Sequence, residues 1–257
     1  MKNIIDTHSH LYAEQFNEDR DLVIQSLVNA GVSKVLLPNI DLDSIEGINQ
    51  LVAQDAKMFY RMIGLHPCSV KEDYKEVLGV LNSVLQNEPN IAVGEIGIDL
   101  YWDKSTKKIQ EEAFLIQIQW ALDYNLPIVI HSRESIDLIV DLIKINFGKT
   151  NLTGVFHCFT GTEQQASNII DLGFKMGIGG VVTFKNSNLR NVLQSIPMGE
   201  LVVETDSPYL APVPYRGKRN ESSYVVEVIR ELSVIYGKEM QEVADITTSN
   251  ALKLFKL

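Results

Sequence analysis

The sequence predicts an α/β protein built as a single (β/α)8 TIM barrel, and three observations point there. Short β-branched runs recur along the whole chain, each is followed by a stretch of helical periodicity, and the length of 257 residues suits one closed barrel. Such alternation marks βα units around a parallel sheet, because parallel strands need a long crossover connection. We therefore expect one domain over residues 1–257. An open doubly wound sheet is the alternative, since it uses the same local units.

The expected strand cores are Ile4 to Asp6, Lys34 to Pro38, Phe59 to Gly64, Ile91 to Glu95, Pro127 to His131, Gly154 to His157, Phe174 to Ile178 and Leu201 to Thr205. Several are unbroken apolar runs, as strands buried on both faces should be. Between them lie amphipathic helices. Tyr74, Val77, Leu78, Leu81, Val84 and Leu85 share one face, as do Val225, Val226, Ile229, Leu232 and Ile235. Asn220 is placed to cap the start of the latter helix and Gly237 to end it. No low-complexity segment, long linker or short-period repeat interrupts the pattern.

The formal net charge is -10 and the sequence pI about 5.0, which excludes a protein that coats nucleic acid or anionic membrane through its overall field. A polyanionic substrate must be held locally. Met1 to His10 carries one Lys and an apolar run broken at Asp6, so it lacks the longer apolar core of a secretory signal. No segment has the uninterrupted apolar length of a membrane span. Two cysteines, Cys68 and Cys158, make no disulfide framework. A cytoplasmic location with no membrane and no obligate protein partner is the expectation. Cys158, directly after His157 in a strand, should face away from whatever His157 faces.

All five histidines, His8, His10, His66, His131 and His157, fall at or just beyond the C-terminal end of an expected strand. A barrel places its active site on that rim. His8 and His10 are two residues apart, so in an extended chain they share a face with Cα atoms about 6.6 Å apart. Glu95, in Val93-Gly94-Glu95-Ile96-Gly97-Ile98-Asp99, follows an apolar run to the same rim, and its flanking glycines suggest close backbone approach. Asp206, in Glu204-Thr205-Asp206-Ser207-Pro208, follows the eighth strand in the same way.

Four imidazoles and two carboxylates exceed the ligand set of one tetrahedral ion, whereas two ions sharing a carboxylate and a hydroxide accommodate them. The expected arrangement places His8, His10 and Asp206 on one ion, His131 and His157 on the other, and Glu95 between. Mixed nitrogen and oxygen ligation suits two divalent ions such as Zn or Mn, with Mg also possible. Beyond the eighth strand, Arg216-Gly217-Lys218-Arg219-Asn220 is a compact basic loop in an acidic protein. With Arg133, its Arg216, Lys218 and Arg219 are candidates to contact a phosphate. Tyr101 and Trp102 are candidates to stack a base. A His66-x-Cys68 pair has no second such pair to complete a soft-metal site.

These residues together resemble the TatD family of metal-dependent deoxyribonucleases, a branch of the amidohydrolase-like barrels. The resemblance runs in order through Asp6-Thr7-His8-Ser9-His10, Gly64-Leu65-His66-Pro67, Gly94-Glu95-Ile96-Gly97, His131-Ser132-Arg133, His157-Cys158-Phe159, Glu204-Thr205-Asp206-Ser207-Pro208-Tyr209-Leu210 and the basic loop. It implies that the six rim residues are metal ligands, that His66 contacts substrate, and that DNA is the substrate, cut as an exonuclease from 3′ ends. Asp206 would orient or deprotonate the attacking water, with Glu95 bridging the ions. Thr160 and Ser222 depart from the family, where Ser and Pro are common. Esters of aminoacyl-tRNA are a second substrate class in this family. Related amidohydrolases often bridge their metals with a modified Lys after the fourth strand, and Ile91 to Asp99 contains none. The remaining alternative is an idle metal-binding module.

Overall fold

A computed structural model describes residues 1–257 and contains one eight-stranded parallel sheet whose spatial order is the sequence order. The strands are β1 (Ile4–Asp6), β2 (Val32–Leu37), β3 (Phe59–Ile63), β4 (Ala92–Asp99), β5 (Ile128–Arg133), β6 (Gly154–Phe156), β7 (Lys175–Ile178) and β8 (Leu201–Val203). The last strand returns to the first. Thr7 N donates to Val203 O at 3.1 Å, Asp206 N donates to His8 O at 2.9 Å, and Ser9 pairs with Ser207 in a parallel bridge. That closure excludes the open doubly wound alternative, which leaves two free edges.

The helices between strands are α1 (Arg20–Asn29), α2 (Ser44–Gln54), α3 (Tyr74–Asn87), α4 (Lys107–Asp123), α5 (Ile136–Phe147), α6 (Glu163–Asp171) and α7 (Leu189–Leu193), with α8 (Val225–Tyr236) and α9 (Met240–Phe255) after β8. None is long and apolar enough to cross a membrane. The start of α8 differs from expectation: a 3-10 turn over Ser222–Tyr224 precedes it, and Asn220 does not cap it. The buried Asn220 amide instead donates to Thr205 O at 2.7 Å and Tyr209 O at 2.6 Å, because the chain leaving β8 presents two carbonyls that no strand pairs. Gly237 ends α8 with a left-handed φ of 60°.

Strand alternation divides the core in two. One set, which includes Ile4, Val35, Ile63, Ile130 and Val203, packs outward under the helices. The other, Ile5, Leu36, Met62, Ala92, Val129, Val155 and Val202, fills the barrel together with Ala251 and Phe255 of α9. Helix α9 therefore plugs one mouth. Its hydrogen bonds place that mouth at the N-terminal ends of the strands: Thr248 Oγ1 donates to Asn3 O at 2.9 Å and Asn250 Nδ2 to Leu201 O at 2.7 Å.

Candidate metal centre

His10, His66, His131 and His157 line a cavity of about 670 Å³ at the opposite mouth, and the fully buried His8 joins them around Glu95. Strand β4 runs on through Asp99 rather than ending at Glu95, and its register against β5 shifts between Val93 and Ile96. Such an irregularity re-aims a side chain. Gly97 follows with φ 148°, and a Cβ there would overlap the His131 carbonyl, so the backbone of β4 can approach β5 closely only with glycine.

The two oxygens of Glu95 face different histidines. Oε2 lies 3.2 Å from His8 Nε2 and 3.7 Å from His10 Nε2, whereas Oε1 lies 2.8 Å from His157 Nε2, 3.1 Å from His131 Nδ1 and 3.4 Å from His66 Nε2. Asp206 Oδ1 joins the first group, 3.5 Å from His10 Nε2 and 3.9 Å from His8 Nε2. Its backbone is left-handed, φ 57°, a conformation uncommon outside glycine that persists where surroundings impose it. The hydrogen bond from Asp206 N to His8 O is one such constraint.

Hydrogen bonds fix which ring nitrogen is free. Tyr12 donates its one hydroxyl proton to Pro38 O at 2.7 Å and so accepts from His10 Nδ1 at 2.7 Å, leaving the Nε2 lone pair toward Glu95 and Asp206. His131 Nε2 donates to Asp99 Oδ2 at 2.9 Å, which leaves Nδ1 facing Glu95. Partners of this kind orient imidazole ligands around metals. His66 is the reverse. Its Nδ1 accepts from Cys68 N at 3.1 Å, so the neutral ring carries its proton on Nε2 and presents a donor to the cavity. His66, Glu95 and His131 are close enough to hold an ion, but the proton on His66 Nε2 distinguishes it from His10 and His131.

Burial dominates the electrostatics. It lowers the His8 pKa, with His157 adding to the effect, which favours the neutral imidazole. Burial also opposes ionisation of Glu95, yet His157, His66 and His8 outweigh it and hold the carboxyl well below its ordinary range. His157 is pushed well above the usual histidine range despite burial, because Glu95 and Glu204 face it. No Lys or Arg pairs with Glu95, Asp206 or Glu204. His8 Nδ1, His157 Nδ1 and Glu204 Oε2 are buried without hydrogen-bond partners. Buried carboxylates among imidazoles, with no Lys or Arg beside them, fit divalent cations.

Three residues absent from the sequence-based set support this cluster. Glu204 is fully buried, lies 3.5 Å from His157 Nδ1 and accepts from Cys158 N. A Cβ at Gly177 would overlap its carboxylate, so that glycine makes room for the acid. Asp99 and Tyr12 orient His131 and His10 as described. Strand periodicity carried a signal for two of them: Glu204 is two residues before Asp206, and Asp99 four after Glu95.

Other expectations fare differently. Cys158 does not face away: β6 ends at Phe156, Cys158 turns with φ 47°, and it lines the cavity. The two-residue alternation applies only while the strand continues. Arg133 lines the cavity, but the basic loop does not. Arg219 is held by Asp19 at 2.6 Å and 2.8 Å and by Glu221 at 3.2 Å, Arg216 covers the Phe184 ring in a neighbouring cleft, and Lys218 is exposed. Of the two departures from the family, Thr160 lines the cavity, whereas Ser222 is buried and donates to Ser9 Oγ at 3.0 Å.

Comparison with known proteins identifies the family. A family model described as TatD related DNase matches residues 5–256. The metal-dependent hydrolase YabD of Bacillus subtilis (strain 168) is 37% identical over 255 residues, covering 99% of each chain. The metal-dependent hydrolase YcfH of Escherichia coli (strain K12) is 33% identical over 259 residues, covering 99% of this chain and 96% of that one. The crystal structure of YjjV, a TatD homologue from Escherichia coli K12, superposes with a TM-score of 0.91 at 30% identity, covering 99% of this chain and 98% of the other.

Proposed function

Because the chain belongs to the family of TatD related DNases, and is a metal-dependent hydrolase, we propose that it hydrolyses DNA phosphodiester bonds as a 3′ to 5′ exonuclease using two divalent ions. The observation that carries the reading is the placement of Glu95, whose two oxygens face two separate groups of imidazoles. His8, His10 and Asp206 would hold one ion, His131 and His157 the other, and Glu95 both. When bound, such ions polarise a phosphoryl oxygen and lower the pKa of water toward ~7.

The side chains supply the rest. The Asp206 carboxylate accepts the proton of the attacking water, its left-handed backbone holding it toward His8 and His10. His66 donates its Nε2 proton to a phosphoryl oxygen. Arg133 has no carboxylate partner and offsets substrate charge at the mouth. Tyr12, Asp99 and Glu204 keep His10, His131 and His157 in orientation.

The test is to strip the protein with a chelator, reload it with Mg, Mn or Zn, and add end-labelled single- and double-stranded DNA. A ladder shortening from the 3′ end is expected with at least one metal and none after stripping. Hydrolysis of a D-aminoacyl ester with no cleavage of any strand would overturn the nuclease reading in favour of an esterase.

A further inference from the structure

The loop joining β4 to α4 carries two large aromatics on the surface at the cavity mouth. Trp102 is 69% exposed and Tyr101 51% exposed, although burial of such side chains is strongly favourable. The Arg133 guanidinium lies 3.8 Å above the Tyr101 ring centroid and 5.4 Å from that of Trp102, and the two rings meet edge to face at 5.1 Å. Trp102 and Arg133 both line the cavity. The guanidinium thus has one face on Tyr101 and no ion pair, while the neighbouring Glu134 is taken by Lys104 at 3.1 Å.

This corner is built to hold its position. Asp99 Oδ1 accepts from Tyr101 N at 2.9 Å and Trp102 N at 3.0 Å, while Asp99 Oδ2 accepts from His131 Nε2 at 2.9 Å. One carboxylate therefore sets both the aromatic turn and a histidine facing Glu95. The buried Gln110 closes the loop from beneath, accepting from Asp99 N at 2.8 Å and donating to Asp99 O at 3.2 Å and Thr106 Oγ1 at 2.9 Å. An exposed aromatic pair held by buried polar contacts is pre-organised to receive a flat ligand.

We infer that Trp102, Tyr101 and Arg133 form a stacking platform for the unpaired terminal base of a single-stranded nucleic acid, registered to the metal centre through Asp99. This rests on the nuclease reading and adds what the site would take: an end whose base is free to stack. A paired end would have to fray first. The chemistry is sequence-tolerant, because every base presents a π face.

The platform can be tested by fluorescence and by cleavage. The only other tryptophan, Trp120 in α4, is 8% exposed, so emission sensitive to ligand reports Trp102. A phosphorothioate thymidine tetramer should quench it in the presence of Mg, and a tetramer abasic at its 3′ end should quench it less. In cleavage, the wild type should prefer a base-bearing end over an abasic one by roughly tenfold, Trp102→Ala should bring that ratio close to one, and Trp102→Phe should restore most of it. Emission that stays constant while anisotropy shows the strand bound, or a ratio unchanged in Trp102→Ala, overturns the platform and leaves the nuclease reading standing. A protein that neither binds nor cuts any strand with any metal overturns both.

Discussion

The two mouths of the barrel are made by the same eight strands and have opposite characters. At the N-terminal mouth, Phe255 and Ala251 of α9 close onto Ile5, Leu36 and Val202, and the surroundings are apolar. At the C-terminal mouth, four histidines and Glu95 line a cavity, the fully buried His8 lies against Glu95, and three buried polar atoms lack partners. One mouth satisfies the rules of packing and the other departs from them repeatedly. Departures concentrated at one end of an otherwise regular fold mark where sequence serves chemistry rather than stability.

If that contrast is correct, mutations at the two ends should separate activity from stability. Glu95→Ala should have the largest effect, lowering turnover by about three orders of magnitude or more and reducing bound divalent metal together, as read by emission spectrometry of the purified protein. A Glu95→Ala enzyme that keeps its metal and its rate would break the contrast at its centre. Asp206→Asn should fold normally and keep substrate affinity while losing roughly a hundredfold or more in kcat. Wild-type activity in that variant would remove Asp206 from its assigned role.

At the sealed mouth the signs reverse. Phe255 is 2% exposed, and Phe255→Ala should cost about 3–5 kcal/mol in urea unfolding while leaving kcat per folded molecule unchanged. Chelation should match neither Asp206→Asn nor Phe255→Ala. It should abolish activity and also lower Tm, since an ion at a hundred times its Kd adds about 2.7 kcal/mol to stability. Calorimetry with and without chelator reads that directly, and an unchanged Tm would count against ions bound in the cluster.

The asymmetry also explains what could be read from sequence. Alternating strands and helices gave the barrel because local periodicity and global topology agree. The histidines were legible because each ends a strand, and strand ends of a barrel meet at one rim. Less legible were Glu204 and Asp99, whose roles depend on strands running further, or turning elsewhere, than their apolar cores indicate. Cys158 reached the cavity through a left-handed turn that no alternation rule foresees. Asn220 carried a capping residue's chemistry to a different pair of carbonyls. Which partner a polar side chain finds depends on contacts distant in sequence.

The basic loop shows the same limit and yields the smallest prediction. From sequence, Arg219 sits beside the metals in a run of positive charge, a natural phosphate contact. In the fold it spans to α1's approach instead, bidentate on Asp19 and in contact with Gln15 O, over the Phe16 ring at 4.5 Å. Its charge is already compensated, and its pKa is raised by the Asp19 hydrogen bonds, then by Glu221. Both partners remain partly solvated, the side chains being 27% and 36% exposed, so solvent screens the pair and its contribution is small. Arg219→Ala should therefore shift urea unfolding by no more than about 1 kcal/mol and leave KM for a DNA strand within about twofold of wild type. Arg133→Ala, which removes an unpaired guanidinium from the cavity wall, should raise KM far more. Equal KM effects in the two variants would show that the loop reaches the substrate, and that the charged mouth extends beyond the cavity to β8's outgoing chain.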